Sequence, residues 1–166
     1  MNYGDKKIDI ESIKAEWMEG IEPLTRQLGF AESQALRKQI ITKFIDTTHE
    51  YYPQYCYNYG CFLWDMLKSE LYNIRVIANT DSIRRRYKAL QSVYLQWDFH
   101  MLHLGREYVF EVDFNTLLAN LDRFPQDLYI FDNTTSWLIM QTHEPQNAND
   151  EDNWIIVDPH EKLGNF

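Results

Sequence analysis

At 166 residues the chain has the size of one domain, and its 45% apolar and 25% charged residues exclude a disordered or fibrous polypeptide. The formal net charge of −9 is uneven: residues 113–166 carry 10 acidic and 2 basic side chains, residues 1–68 carry 10 and 8, and residues 69–112 carry 5 and 6. Such an acid excess repels phosphate backbones and argues against direct nucleic-acid binding, and no apolar run reaches the ~18 residues of a membrane span.

Residues 1–7 are polar with no apolar stretch behind them, so no secretory signal is expected and the chain reads as cytoplasmic. From 10 to 28, apolar residues fall at Ile10, Ile13, Trp17, Met18, Ile21, Leu24 and Leu28, the spacing of a helix. Asp9 is placed to cap it, Gly20 and Pro23 to kink or break it, and Gly29 to end it as a C-cap glycine. A second helix is predicted from about 32 to 47, with Leu36, Ile40, Ile41, Phe44 and Ile45 on one face.

Residues 51–60 hold five tyrosines and are predicted to form a loop, which either closes one end of the core or offers a contact surface. Cys56 and Cys61 flank its end; their spacing would allow a bridge, but two free thiols are expected. A short helix follows at 61–67. Another begins at Asp81 with Ile83, Tyr87 and Leu90 inward, and its Arg84, Arg85 and Arg86 point in three directions, so they read as solvated surface.

The second half turns to strands. Residues 93–99 and 108–112 are β-branched and aromatic, 113–124 reads as a helix capped by Asp113 and stopped by Pro125, and 128–131 with 137–142 makes a hairpin. A polar, acidic loop spans 145–152, expected to be mobile, before a last strand at 154–157. The fold class that follows is α+β: N-terminal helices (about 9–92) packed on one face of a C-terminal, mainly antiparallel sheet (about 93–158), all in a single domain over 1–166.

Local signatures of catalysis are sparse. There is no G-x-S-x-G and no phosphate-cradling glycine loop, so no catalytic residue and no cofactor is assigned. The residue types suited to a metal are His100, His103, His143 and Glu144, with Asp98 sharing a strand face with His100, but their spacing matches no established ligand pattern. The segments Asp127-Leu128-Tyr129-Ile130-Phe131-Asp132 and Trp137-Leu138-Ile139-Met140-Gln141-Thr142-His143-Glu144 resemble a hairpin found in small bacterial families, including immunity proteins of polymorphic toxin systems. The Trp64-centred Leu-Trp-Asp-Met-Leu run echoes the same families. The resemblance carries no catalytic residue with it; it implies a stoichiometric blocker of a toxin.

Small size and acid bias fit that implication, because toxins that attack nucleic acid carry basic clefts and an acidic partner associates faster with them. The expected function is therefore an acidic protein-binding domain that neutralises a basic toxin such as a nuclease. The candidate contact residues are the acids Asp127, Asp132, Glu144, Asp150, Glu151 and Asp152, with Tyr51, Tyr52, Tyr55 and Trp154 as aromatic anchors. The alternative expectation is a small metal-binding domain or enzyme using His100, His103, His143 and Glu144.

Overall fold

The computed structural model describes residues 10–57, 61–98, 104–149, 151 and 153–163. The chain forms α1 (Ile10–Ile21), a 3-10 turn at Glu22–Leu24, β1 (Thr25–Gln27), α2 (Phe30–Phe44), α3 (Tyr52–Tyr57), a 3-10 turn at Leu63–Met66, and α4 (Ser69–Tyr72). It continues with β2 (Val76–Ala78), α5 (Thr80–Arg86), β3 (Ser92–Trp97), α6 (Leu104–Glu107), β4 (Phe110–Asp113), α7 (Phe114–Ala119) and a 3-10 turn at Leu121–Arg123. The hairpin strands β5 (Leu128–Phe131) and β6 (Leu138–Gln141) and then β7 (Trp154–Val157) complete it.

The seven strands form one antiparallel sheet in the order β1-β4-β3-β5-β6-β7-β2. The α+β class holds, with helices before strands, but the layering differs from expectation. Both faces of the sheet are covered. Leu95, Trp97, Ile130, Ile139 and Ile156 point into a core beneath α1, α5 and α7. Tyr129, Phe131, Leu138, Met140, Ile155 and Val157 point into a second core beneath α2, α3 and the Leu63–Met66 turn. The four residues of β5 and of β7 are all buried, which an exposed sheet face would not permit.

Local chemistry explains most departures in detail. Pro23 sits at the start of a 3-10 turn after α1, where its missing N–H costs nothing, and the chain then extends into β1 rather than continuing as helix. Gly29 is extended (φ −62°, ψ 152°) and precedes α2 as its N-cap, not as a C-cap of the helix before it. Helix α5 starts at Thr80, one residue before the expected Asp81, and Asn79 caps it by accepting from the Ser82 N–H at 2.9 Å. Asp113 caps α7 as expected, accepting from the Thr116 N–H at 2.8 Å. Residues Tyr52–Tyr57 of the tyrosine-rich stretch form α3 instead of a loop, and the helix predicted at 113–124 stops at Ala119. Both cysteines are free.

Strands β1 and β2 lie inside the stretch read as helical, and they supply the two edges of the sheet. At the β5–β6 turn, Thr135 adopts φ 46°, and Lys43 of α2 donates to its carbonyl (2.9 Å) and hydroxyl (2.6 Å), strapping the turn to the helix layer.

Candidate functional site

Antiparallel pairing gathers the ends of β3 and β6 and the starts of β5 and β7 at one end of the sheet. Two buried carboxylates stand there, Asp98 directly after β3 and Asp127 directly before β5, both essentially inaccessible. Their backbones are joined, since the Asp98 N–H donates to the Asp127 carbonyl at 3.1 Å.

Asp98 is bonded on both oxygens. Its Oδ1 accepts from the Tyr55 hydroxyl (2.9 Å) and lies 3.3 Å from Arg106 Nε; its Oδ2 accepts from the Tyr129 hydroxyl (2.7 Å) and the Leu63 N–H (3.0 Å). Arg106 also lies over the Tyr55 ring at 4.1 Å and donates to the Tyr55 carbonyl at 2.9 Å. Arg37 reaches in from α2, donating to the Tyr55 hydroxyl and to Gln96 Oε1 (3.3 Å). Burial, followed by the adjacent Asp98 charge, pushes both phenols well above their ordinary value, so both remain donors. Burial alone would lower the Arg37 pKa, but Tyr55 and Asp98 outweigh it and the pKa is raised. Gln96 Nε2 is buried with no hydrogen-bond partner among the described residues.

Asp127 adopts φ 61°, a region in which aspartate is among the better tolerated side chains. Its Oδ1 accepts from Trp64 Nε1 (3.0 Å) and from the His143 N–H (3.2 Å), and both oxygens face His143 Nδ1 at 2.8 and 3.0 Å. His143 Nε2 turns outward, 3.5 Å from Glu144 Oε1, and its ring is 30% exposed. The imidazole packs against Phe62 (4.8 Å between ring centres) and edge-on to Trp64 (5.8 Å), which are themselves stacked at 5.5 Å. The result is an aromatic patch rimmed by Asp65 and Glu144.

Asp65 is the strained member of that rim. Burial first, then repulsion from Glu144 and Asp127, raise its carboxyl pKa, with His143 and His49 opposing the rise. A carboxyl raised in the folded state binds more protons there than in the unfolded chain, so it favours folding below its unfolded pKa and that contribution is lost as pH rises through the folded value. Asp65→Asn is therefore expected to be slightly more stable than the parent at pH 7, by at most about 1 kcal/mol given its partial exposure. The advantage should shrink to nothing as pH falls through the carboxylate range, which paired urea titrations at pH 7 and pH 4 would read.

The sequence candidates separate sharply by burial. Tyr55, Asp127 and Trp154 are interior residues, with exposures of 3%, 2% and 0%, so they are corrected from contact anchors to internal supports. Trp154 donates from Nε1 to the Thr80 hydroxyl at 3.0 Å inside the core. Asp132 lies at the opposite end of β5, where it binds the Thr134 N–H (2.9 Å) and Trp137 Nε1 (3.1 Å) within the hairpin turn. Glu144, Glu151 and Tyr51 are exposed, and Tyr52 is half-buried and stacked on Tyr55. Asp150 and Asp152 lie outside the described residues, as do His100 and His103, so His143 and Glu144 alone of the four metal candidates are seen together. Among the described residues no cluster of three or more metal-type side chains forms.

Sequence reasoning missed Asp98, Arg37, Arg106, Phe62, Trp64 and Asp65 as members of one assembly. A signal was present for Asp127, which adjoins a strand whose apolar residues fill both faces, where a carboxylate must be bonded internally; β3 beside Asp98 has that pattern on one face only. No protein-family model matches the chain, and no curated protein matches it. No helix is long and apolar enough to cross a membrane among the described residues.

Proposed function

We propose that this protein is an acidic protein-binding domain of immunity or antitoxin type, which neutralises a basic toxin, such as a nuclease, by stoichiometric occlusion. The observation that carries this reading is the crowding of Asp65, Asp127 and Glu144 around the Phe62–Trp64–His143 patch. Burial first, and then the like charges of Glu144 and Asp127, raise the Asp65 pKa, and a lysine or arginine from a partner would relieve the repulsive part. Aromatic rings with an acidic rim also have the makeup of an interface centre. The acid excess of residues 113–166 and the hairpin resemblance point the same way.

Affinity capture from the native host at low and high salt, read by mass spectrometry, tests the reading. One basic protein should be recovered at low salt, weakened at high salt, and lost with Asp65→Lys/Glu144→Lys. Recovery of no basic protein, or capture unaffected by the double reversal, would sink it.

One observation favours a second reading. Asp127 fixes His143 through Nδ1 and leaves Nε2 outward, an orientation suited to a metal ligand or proton acceptor. A stoichiometric transition metal in purified protein, lost with His143→Ala, would replace the binding reading with this one.

A further inference from the structure

On the face of the sheet opposite the His143 patch, and at the same end, two hollows meet. One, of about 460 Å³, is walled by Trp17 of α1 and by Leu121, Phe124 and Pro125 on the approach to β5, with the polar side chains of Asp122, Gln126 and Gln141 also on its lining. The other, of ≈ 330 Å³, is lined by Asp81 and Glu151 together with the amides Asn79 and Asn153. Thr80 lines both. Its hydroxyl accepts from Trp154 Nε1, which anchors the junction to the core. The two hollows, adjoining at Thr80, thus offer apolar rings beside one carboxylate at one end and a polar, acidic lining at the other.

The charge in the acidic half is largely unopposed. Asp81 and Glu151 are exposed, and among the described residues no lysine or arginine lines either hollow. Arg84, itself exposed, lies 3.7 Å from Asp81. Exposed ion pairs of this geometry contribute little, so Arg84 does not neutralise the hollow. An incoming cation would meet two exposed carboxylates and displace at most the weak Arg84–Asp81 pair.

We propose that the groove seats an extended segment of the basic partner, with an apolar side chain in the Trp17–Phe124 end and a neighbouring lysine or arginine at Asp81 and Glu151. This rests on the partner-binding reading above and gives it a recognition element. A neutral apolar segment would leave the carboxylates unanswered, and an acidic one would be repelled; the pairing of an apolar with a cationic residue satisfies both halves. Because the groove and the His143 patch flank the same strand ends, one partner can engage both.

The direct test is a titration of the isotope-labelled full chain with the blocked peptide acetyl-Leu-Lys-Leu-Lys-amide at low salt, followed by NMR. Shifts are expected at the Trp17 indole, the Thr80 amide and the Gln126 and Gln141 side-chain amides. Affinity should fall by about tenfold or more in Asp81→Lys/Glu151→Lys, whose exposed positions leave the fold intact. A peptide with glutamate for lysine should produce no shift. Shifts scattered away from these residues, or a double variant that binds as the parent does, would overturn the proposal.

Capture from the host separates this from the broader reading. Were the groove variant to retain the basic partner while Asp65→Lys/Glu144→Lys lost it, the groove assignment would fall and the partner reading would stand. Peptide binding at the groove with no basic protein captured would support the groove's ligand class and overturn the partner reading.

Discussion

Asp98→Ala is expected to remove roughly 3–5 kcal/mol of unfolding free energy, the scale for leaving a buried charge without its counter-ion. The residue is wholly buried, and its removal takes away at once the acceptor of the Tyr55 and Tyr129 hydroxyls and of the Leu63 N–H and the carboxylate that faces Arg106. For a chain of this length the midpoint of thermal unfolding should drop by roughly 6–20 °C. Asp98→Asn keeps the shape and one accepting oxygen but turns an NH2 donor toward the groups that donate to the other oxygen and removes the charge, so it should lose less than alanine but still be clearly destabilised. Tyr129→Phe, which removes one donor and leaves the carboxylate otherwise bonded, should cost only about 1 kcal/mol.

A double-mutant cycle between Asp98 and Tyr129 gives this ranking its meaning. The two share one 2.7 Å bond, so the losses should be less than additive. Chemical denaturation of the three variants is sufficient. Were Asp98→Ala to cost less than about 1 kcal/mol, the carboxylate would not be closing the network in solution, and α3 and the Leu63–Met66 turn would need another anchor. That matters for function, because this turn carries Trp64 and Asp65 and follows directly on Phe62.

What was legible in the sequence follows the strength of local signals. The β5–β6 hairpin, β7 and the Asp113 cap were all foreseen, since each rests on residues within a few positions of one another. Strands β1 and β2 were not. Each has three residues, β1 is Thr-Arg-Gln, and what makes either a strand is its pairing with β4 or β7, more than 75 residues away in sequence. The two-sided burial was present in the letters but was not used: Leu-Tyr-Ile-Phe, Leu-Ile-Met and Trp-Ile-Ile-Val are continuous apolar runs, which a sheet solvated on one face does not have.

The candidate site was half-legible for a related reason. Reading acids as surface by default worked for Glu144 and Glu151 and failed for Asp127, because charge alone carries no information about burial. Asp127's partners come from two places, Trp64 at 63 positions away and His143 at 16, and its φ of 61° falls at the entry to β5. Tyr55 was a candidate for the wrong reason. Its ring is held between Arg37 and Arg106, and its hydroxyl serves Asp98 rather than a partner.

Asp127→Ala should be nearly as damaging as the loss of Asp98, by about 3–4 kcal/mol, and for two separable causes. It deletes the acceptor for Trp64 Nε1 and for both the ring and backbone nitrogens of His143, and it places a Cβ-bearing residue with no local hydrogen bond at φ 61°. Asp127→Gly loses the same bonds without the backbone penalty, so it should be about 1 kcal/mol less destabilising than Ala. Asp127→Asn tolerates the backbone and can still accept from Trp64, and should lose about 1 kcal/mol. The order Asn, Gly, Ala, measured by urea denaturation, isolates the left-handed backbone from the hydrogen bonds; Gly equal to Ala would show that the backbone term is negligible. The Asn variant also connects stability to recognition. With a neutral partner at Nδ1, His143 keeps its place beside Phe62 but loses the buried carboxylate beneath it, which lies under the Asp65 and Glu144 rim. If the patch works through crowded charge, Asp127→Asn should weaken capture of a basic partner at low salt while the fold persists, and high salt should erase the difference from the parent.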